Sequence, residues 1–257
     1  GFKVKGGKKL DQLAIITFVK KKVPRSDLKR HEVISTDVEG VLTDVQESGE
    51  ITAELTRTDK WRPAPPGVSI GHPLITAGTF GCVALKNNVR KILSNNHILA
   101  NCNVANIGDA IYQPGAFDGG GAGDTIALLE DWVPIVFTGV ADNLVDAAIA
   151  APINGILNEI LELGVPTGVT EAELDMSVVK SGRTSAVTYG TITTINAEVI
   201  ISYGASGLAR FIDQIIYTKM TSGGDSGSLV LTYPDLRAVA LHFAGSDYIS
   251  IGSRIQY

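Results

Sequence analysis

The chain has 257 residues, of which 44% are hydrophobic and 19% charged, with a net charge of −5. That balance excludes a disordered polyelectrolyte and leaves ample length for a buried core. No run of about 18 uncharged apolar residues is present, so no transmembrane helix is expected, and the two cysteines, Cys82 and Cys102, are too few for a disulfide framework.

The charge is uneven. Residues 1–30 carry ten Lys/Arg against Asp11 and Asp27, whereas the remainder is acidic. No aromatic interleaving or nucleic-acid motif accompanies the basic end, so it reads as a solvated lysine-rich hairpin, with neither a nucleic-acid nor a membrane partner expected. Homo-oligomers are left open. The cysteines read as free thiols, which leans toward a cytoplasmic rather than a secreted setting; a bridge between them beside His97 is the alternative. No secretory leader is legible at Gly1, although a trimmed one would leave such a start.

In chain order, Phe2 to Lys5 and Leu13 to Val19 read as a hairpin around Gly6-Gly7. A short helix is expected from Ser26 to His31, followed by strands near Val41 to Val45 and Ile51 to Leu55. Residues 1–56 are therefore expected to form a small α+β domain. Residues 57–73 hold four prolines and no apolar periodicity, which predicts a surface linker. From residue 74 to 257 strand signals dominate. Asn87-Asn88 marks a hairpin turn, 101–124 a Gly- and Asn-rich loop, and Val145 to Ala151 an apolar strand. Residues 152–163 have helical apolar spacing. Short strands then recur from Met176 to Tyr203 and on either side of Pro234-Asp235. Many short strands with frequent turns predict an all-β sandwich or barrel.

The segment Ser222 to Ser228 (SGGDSGS) has three glycines in seven residues and runs into an apolar strand. Such a turn projects a serine hydroxyl while neighbouring N–H groups point at one spot, the geometry of an oxyanion hole. A serine needs a base, and the base an orienting acid. His97 lies where an apolar strand breaks into a polar turn, and Asp146 just before a buried apolar strand, where a carboxylate needs a partner. Each residue alone would pass for an ordinary turn, strand-end or cap residue. Their order and spacing together argue for a site.

With Gly224-Asp225-Ser226-Gly227 around the serine and the order His97, Asp146, Ser226, the sequence resembles the trypsin/chymotrypsin-like serine peptidases (the PA clan) over residues 74–257. More narrowly, its N-terminal extension and Ser94-Asn95-Asn96-His97 motif resemble bacterial and plant relatives of the rice leaf-shape protease (the Nal1-like group), over nearly the whole chain. The resemblance implies a mainly β fold: a chymotrypsin-like double six-stranded β-barrel behind a small N-terminal α+β extension. It implies a serine endopeptidase acting on protein or peptide substrates, with Ser226 as nucleophile, His97 as base and acid, and Asp146 as orienting group. The N–H groups of Gly224 and Ser226 would form the oxyanion hole. No cofactor and no metal are expected. Two departures stand out. Ser94-Asn95-Asn96 replaces an alanine-rich motif, and no signal for an activated amino terminus is present, so the partner of Asp225 is open.

Where trypsin-like enzymes carry an acid that selects basic side chains, this chain has Met220. Thr221 and His242 stand at spacings that resemble glutamyl endopeptidases and picornaviral proteases, which implies a substrate pocket of Met220, Thr221 and His242 and a P1 Glu or Gln preference. A pocket-lining or core histidine without readout is the competing reading of His242. For the whole chain the alternative is a latent or inert protease-fold binding or scaffold protein. A third reading makes residues 1–56 an inhibitory or folding segment.

Overall fold

The computed structural model describes residues 1–51 and 55–257 and falls into two compact units, Gly1–Glu54 and Leu55–Tyr257. In the first, Phe2–Lys5 pairs antiparallel with Lys8–Leu13. Gly6 and Gly7 take φ of 57° and 76°, the two positive values a two-residue primed turn requires. The hairpin's second strand is therefore Lys8–Leu13 and not the expected Leu13 to Val19. Ile15–Val19 instead runs parallel to Val41–Glu47, with Asp37–Val38 on the other side. The expected helix at 26–31 is only a 3₁₀ turn, Arg25–Asp27, which buries no side chain. With no apolar face to pack, nothing offsets the cost of helix nucleation. The strand expected over 51–55 falls mostly outside the described residues.

The second unit holds two β-barrels. The first is built on a five-stranded sheet in the spatial order Ala110–Tyr112, Thr125–Trp132, Ala148–Pro152, Val89–Ser94, Cys82–Lys86. Asn87 and Asn88 take φ of 52° and 61° at its expected hairpin turn. A ribbon of Ser69–Ile70 and Gly78–Thr79 is stitched to this sheet through reciprocal Gly71–Tyr112 hydrogen bonds. This corrects the expected linker over 57–73. Val68 and Ile70 are fully buried in the barrel core with Phe80, Ile92, Leu99 and Ile126. The prolines erase periodicity without keeping the segment at the surface, because its N–H groups find backbone acceptors: Gly67 in Phe80, just beyond the Gly78–Thr79 strand, at 2.7 Å, and Ser69 in Arg57, within the segment itself, at 2.8 Å.

The expected helix over 152–163 is also absent. Ile156 and Ile160 are buried at i, i+4, as the spacing suggested, but the backbone is irregular and bonds sideways. Leu157 N–H donates to Ala64 O, and Leu161 N–H to Pro66 O, both at 2.9 Å. Tertiary pairing with the 64–66 segment overrides helical propensity here.

The second barrel closes on itself. Ser177–Gly182, Ala186–Ser202, Leu208–Thr218, Ile249–Arg254, Arg237–Gly245 and Leu229–Thr232 pair in that circular order, the last returning to the first. Its core includes Val178, Ile192, Ile215, Tyr217, Val230 and Val239. The 17-residue strand Ala186–Ser202 breaks register against Leu208–Thr218 at three places, with Asn196 at φ 56° inside the middle one. These bulges bend the strand and lead its end, followed by Tyr203, to the site.

Candidate active site

Strand register brings His97 to Asp146. Val89–Ser94 and Ala148–Pro152 are antiparallel with Ser94 opposite Ala148, so the residues just after Ser94 and just before Ala148 leave the sheet together. His97 sits in a one-turn helix, Asn96–Leu99. The preceding asparagines fix this exit. Asn95 Nδ2 donates to the Asp146 carbonyl at 2.7 Å, and Asn96 Nδ2 to Asn103 Oδ1 and the Val133 carbonyl at 2.7 and 2.8 Å.

The Asp146 carboxylate is fully buried and accepts three bonds. They come from His97 Nδ1 at 2.5 Å, the His97 backbone N–H at 3.2 Å and the Tyr203 hydroxyl at 2.8 Å. Tyr203 also meets the His97 ring edge-on, with centroids 5.7 Å apart. Burial, followed by the charge of Asp146, pushes the Tyr203 phenol well above its ordinary value, so it remains a donor. Sequence reasoning missed Tyr203, which looks like the end of an ordinary apolar strand.

Ser226 lies on the loop between the Leu208–Thr218 and Leu229–Thr232 strands. Gly224 and Gly227 take φ of 96° and 93°, in the left-handed region that favours glycine. A Cβ on Gly227 would also stand 2.4 Å from the Thr79 carbonyl. The backbone N–H groups of Gly224 and Ser226 have no hydrogen-bond partner among the described residues. The Ser226 hydroxyl donates to the Phe243 carbonyl at 3.4 Å, a long bond. It makes no hydrogen bond with His97 in this structure, so the structure joins two of the three expected triad residues directly and not the third.

Thr79 connects the two halves. Its N–H donates to Ser226 O at 2.7 Å and its hydroxyl to Gly224 O at 3.0 Å. The same hydroxyl accepts Arg183 N–H at 3.0 Å, and the Thr79 carbonyl accepts the Ser94 hydroxyl at 2.8 Å. No local pattern in the sequence distinguishes this threonine.

Met220, Thr221 and His242 are all buried behind the loop. Thr221 shares a hydrogen bond with Ser250 Oγ at 2.7 Å, and His242 Nδ1 one with the Tyr217 hydroxyl at 2.8 Å. Burial pushes the His242 imidazole down to about 3, so it is neutral at ordinary pH. Asp225 is buried too. Burial alone would raise its carboxyl, but Lys180 and hydrogen bonds from Ser185 and Ser222 outweigh burial and hold it below its ordinary value. Cys82 and Cys102 are free thiols, and burial pushes Cys82 up to about 12. Among the described residues, no group of three or more His, Cys, Asp or Glu is gathered as for a metal ion.

No family model matches the sequence, and no curated protein matches it. Solved structures do. A Nocardiopsis protease (NAPase) aligns with a TM-score of 0.54 at 16% identity, over 75% of this chain and 93% of that one. Protease A of Thermobifida fusca gives 0.54 at 17%, over 75% and 92%. A serine protease described as glutamic acid specific, with a histidine triad in substrate binding, gives 0.53 at 19%, over 75% and 94%. At such identities the likeness speaks for architecture, and it does not reach the narrower Nal1-like group. The chain has the double β-barrel fold of the chymotrypsin-like serine proteases.

Proposed function

We propose that the chain is a serine endopeptidase, with Ser226 as nucleophile, His97 as general base and acid, and Asp146 as its orienting carboxylate. The observation that carries this reading is the 2.5 Å contact between His97 Nδ1 and buried Asp146, linked through Ser94 and Thr79 to a glycine-bounded serine loop with two unbonded N–H groups. Ser226 Oγ forms a bond to the scissile carbonyl carbon as its proton passes to His97 Nε2. The carbonyl electron pair moves onto oxygen, where the N–H groups of Gly224 and Ser226 stabilise it. Collapse breaks the C–N bond, and His97 returns the proton to the leaving amine. Water, deprotonated by His97, then cleaves the acyl-enzyme and restores Ser226. Protein or peptide substrates follow from this chemistry.

Within this reading Met220, Thr221 and His242 form the P1 subsite, with a preference for Gln or Glu. A neutral His242 held by Tyr217 offers no positive charge to a carboxylate, which favours Gln over Glu. A peptide library tests this. Cleavage after Gln, lost in Ser226→Ala, is the expected result, and cleavage confined to sites after aromatic or small residues would refute the subsite.

A second reading, a latent or inert protease-fold binding or scaffold protein, draws on one observation: Ser226 Oγ bonds to Phe243 O rather than to His97. Apo sites often tighten only with substrate bound. Turnover of any peptide that Ser226→Ala abolishes decides against the inert form.

A further inference from the structure

In the first unit, Ile15–Val19 and Val41–Glu47 run parallel, with Thr17 beside Val45 and Val19 beside Glu47. A parallel pair is usually joined by a crossover helix that covers one face of the strands. Here the connection holds no helix or strand beyond the 3₁₀ turn Arg25–Asp27 and the short strand Asp37–Val38. A hollow of about 280 Å³ is left against the strands, walled by Val19, Leu28, Val33, Ile34 and Val45. All five are half-buried, and among the described residues of this unit Ala14 is the one buried hydrophobic residue. Apolar surface that a helix would cover therefore stays open to water, and covering it is favourable.

Three exposed cations, Lys21, Lys22 and Arg25, line the same hollow. Glu32 is the one carboxylate that does so, and its Oε2 accepts the Lys29 backbone N–H at 2.8 Å. Glu47, at the end of the neighbouring strand, turns its Oε2 to the Lys22 backbone N–H, also at 2.8 Å. The salt bridge in this unit joins Lys20 to Glu50 instead, and among the described residues none of the three cations is in one. The hollow thus combines apolar walls with a positive rim. A nucleic-acid duplex or a flat lipid surface would use the charge and leave the concave apolar walls unfilled. A peptide with acidic residues on either side of a large apolar one satisfies both.

We propose that this hollow docks an acidic segment of a partner protein, an apolar side chain entering between Val19, Leu28 and Val45 while flanking carboxylates meet Lys21, Lys22 and Arg25. Docking here is independent of the serine-peptidase reading, because it uses none of the residues assigned to catalysis.

The test uses the full chain carrying Ser226→Ala, so that no peptide is consumed. A displayed library of random dodecapeptides is selected against it, and recovered peptides are synthesised with a fluorophore and titrated by anisotropy. Peptides that join a large apolar residue to two or more acidic ones are expected. Lys21→Glu/Lys22→Glu/Arg25→Glu should weaken their binding by about tenfold or more, and added salt should weaken it too. Replacing the peptide's apolar residue with serine should cost about tenfold as well. Hydrogen exchange should slow over residues 19–34 and 41–47 when peptide is bound. If the charge-reversed chain does not fold by circular dichroism, Lys21→Gln/Lys22→Gln/Arg25→Gln carries the same expectation. Recovery of no such peptide, or of peptides whose binding the folded variant leaves unchanged, overturns the proposal. Equal binding of hexaglutamate, of phosphatidylserine vesicles or of duplex DNA overturns it too, since each would show charge acting without the apolar walls.

Discussion

The two halves of the candidate site are held in different ways. The His97–Asp146 half is fixed by strand register and finished by side chains, with Asp146 saturated by three donors. The Ser226 half sits on a turn that only glycine allows at two positions. It is held by side chains acting on backbone groups, the Thr79 hydroxyl on Gly224 O and the Asp225 carboxylate on the N–H groups of Thr184 and Ser222. The acid–base pair is thus preorganised as a unit, while the nucleophile is preorganised through its loop, and its hydroxyl is still turned to Phe243. Substitutions in the first half should act on proton transfer, and substitutions in the second on transition-state stabilisation and folding together.

The largest effect is expected from Asp146→Asn. Losing the orienting carboxylate should lower kcat by about 10⁴-fold, with the fold intact by circular dichroism. Thr79→Val removes the hydroxyl that bridges Gly224 O and Arg183 N–H. It should cost about 1–3 kcal/mol of stability in denaturant unfolding and lower kcat by about 10–100-fold, and Thr79→Ser should restore both.

His242 sharpens the comparison from the second half. Its imidazole is held neutral down to about 3, whereas the unfolded chain takes up a proton near 6.5. The unfolded state therefore binds more protons as pH falls through that window, and stability drops with it. About 2 kcal/mol should be lost between pH 7 and pH 5, and His242→Gln should flatten that part of the profile. The smallest effect belongs to Tyr203→Phe. Asp146 keeps both bonds from His97, so kcat should fall by about tenfold with KM unchanged.

What could be read in the sequence was local. The glycine turn around Ser226 and the Asn87-Asn88 hairpin announce themselves because φ above zero restricts residue choice. The pairing of His97 with Asp146 came from motif order and resemblance. Thr79, Tyr203 and Lys180 carried no comparable mark, since each acts on a residue far along the chain. Lys180 follows Val178 and Val179 in the strand Ser177–Gly182, where a lysine reads as solvated, and only the fold shows it to be buried. Two of the misread segments, 57–73 and 152–163, share one cause. They pair with each other along residues 64–66 and 155–161, and such long-range pairing is announced neither by the prolines of the first nor by the helical spacing of the second.

The most direct test of the central claim is to treat the purified chain and Ser226→Ala with a fluorophosphonate probe and locate the modified residue by mass spectrometry. Labelling at Ser226 alone, absent from the variant and strongly reduced in His97→Ala, is the result expected of an assembled serine-hydrolase site. A folded chain that stays unlabelled, or labels equally well without His97, would contradict it.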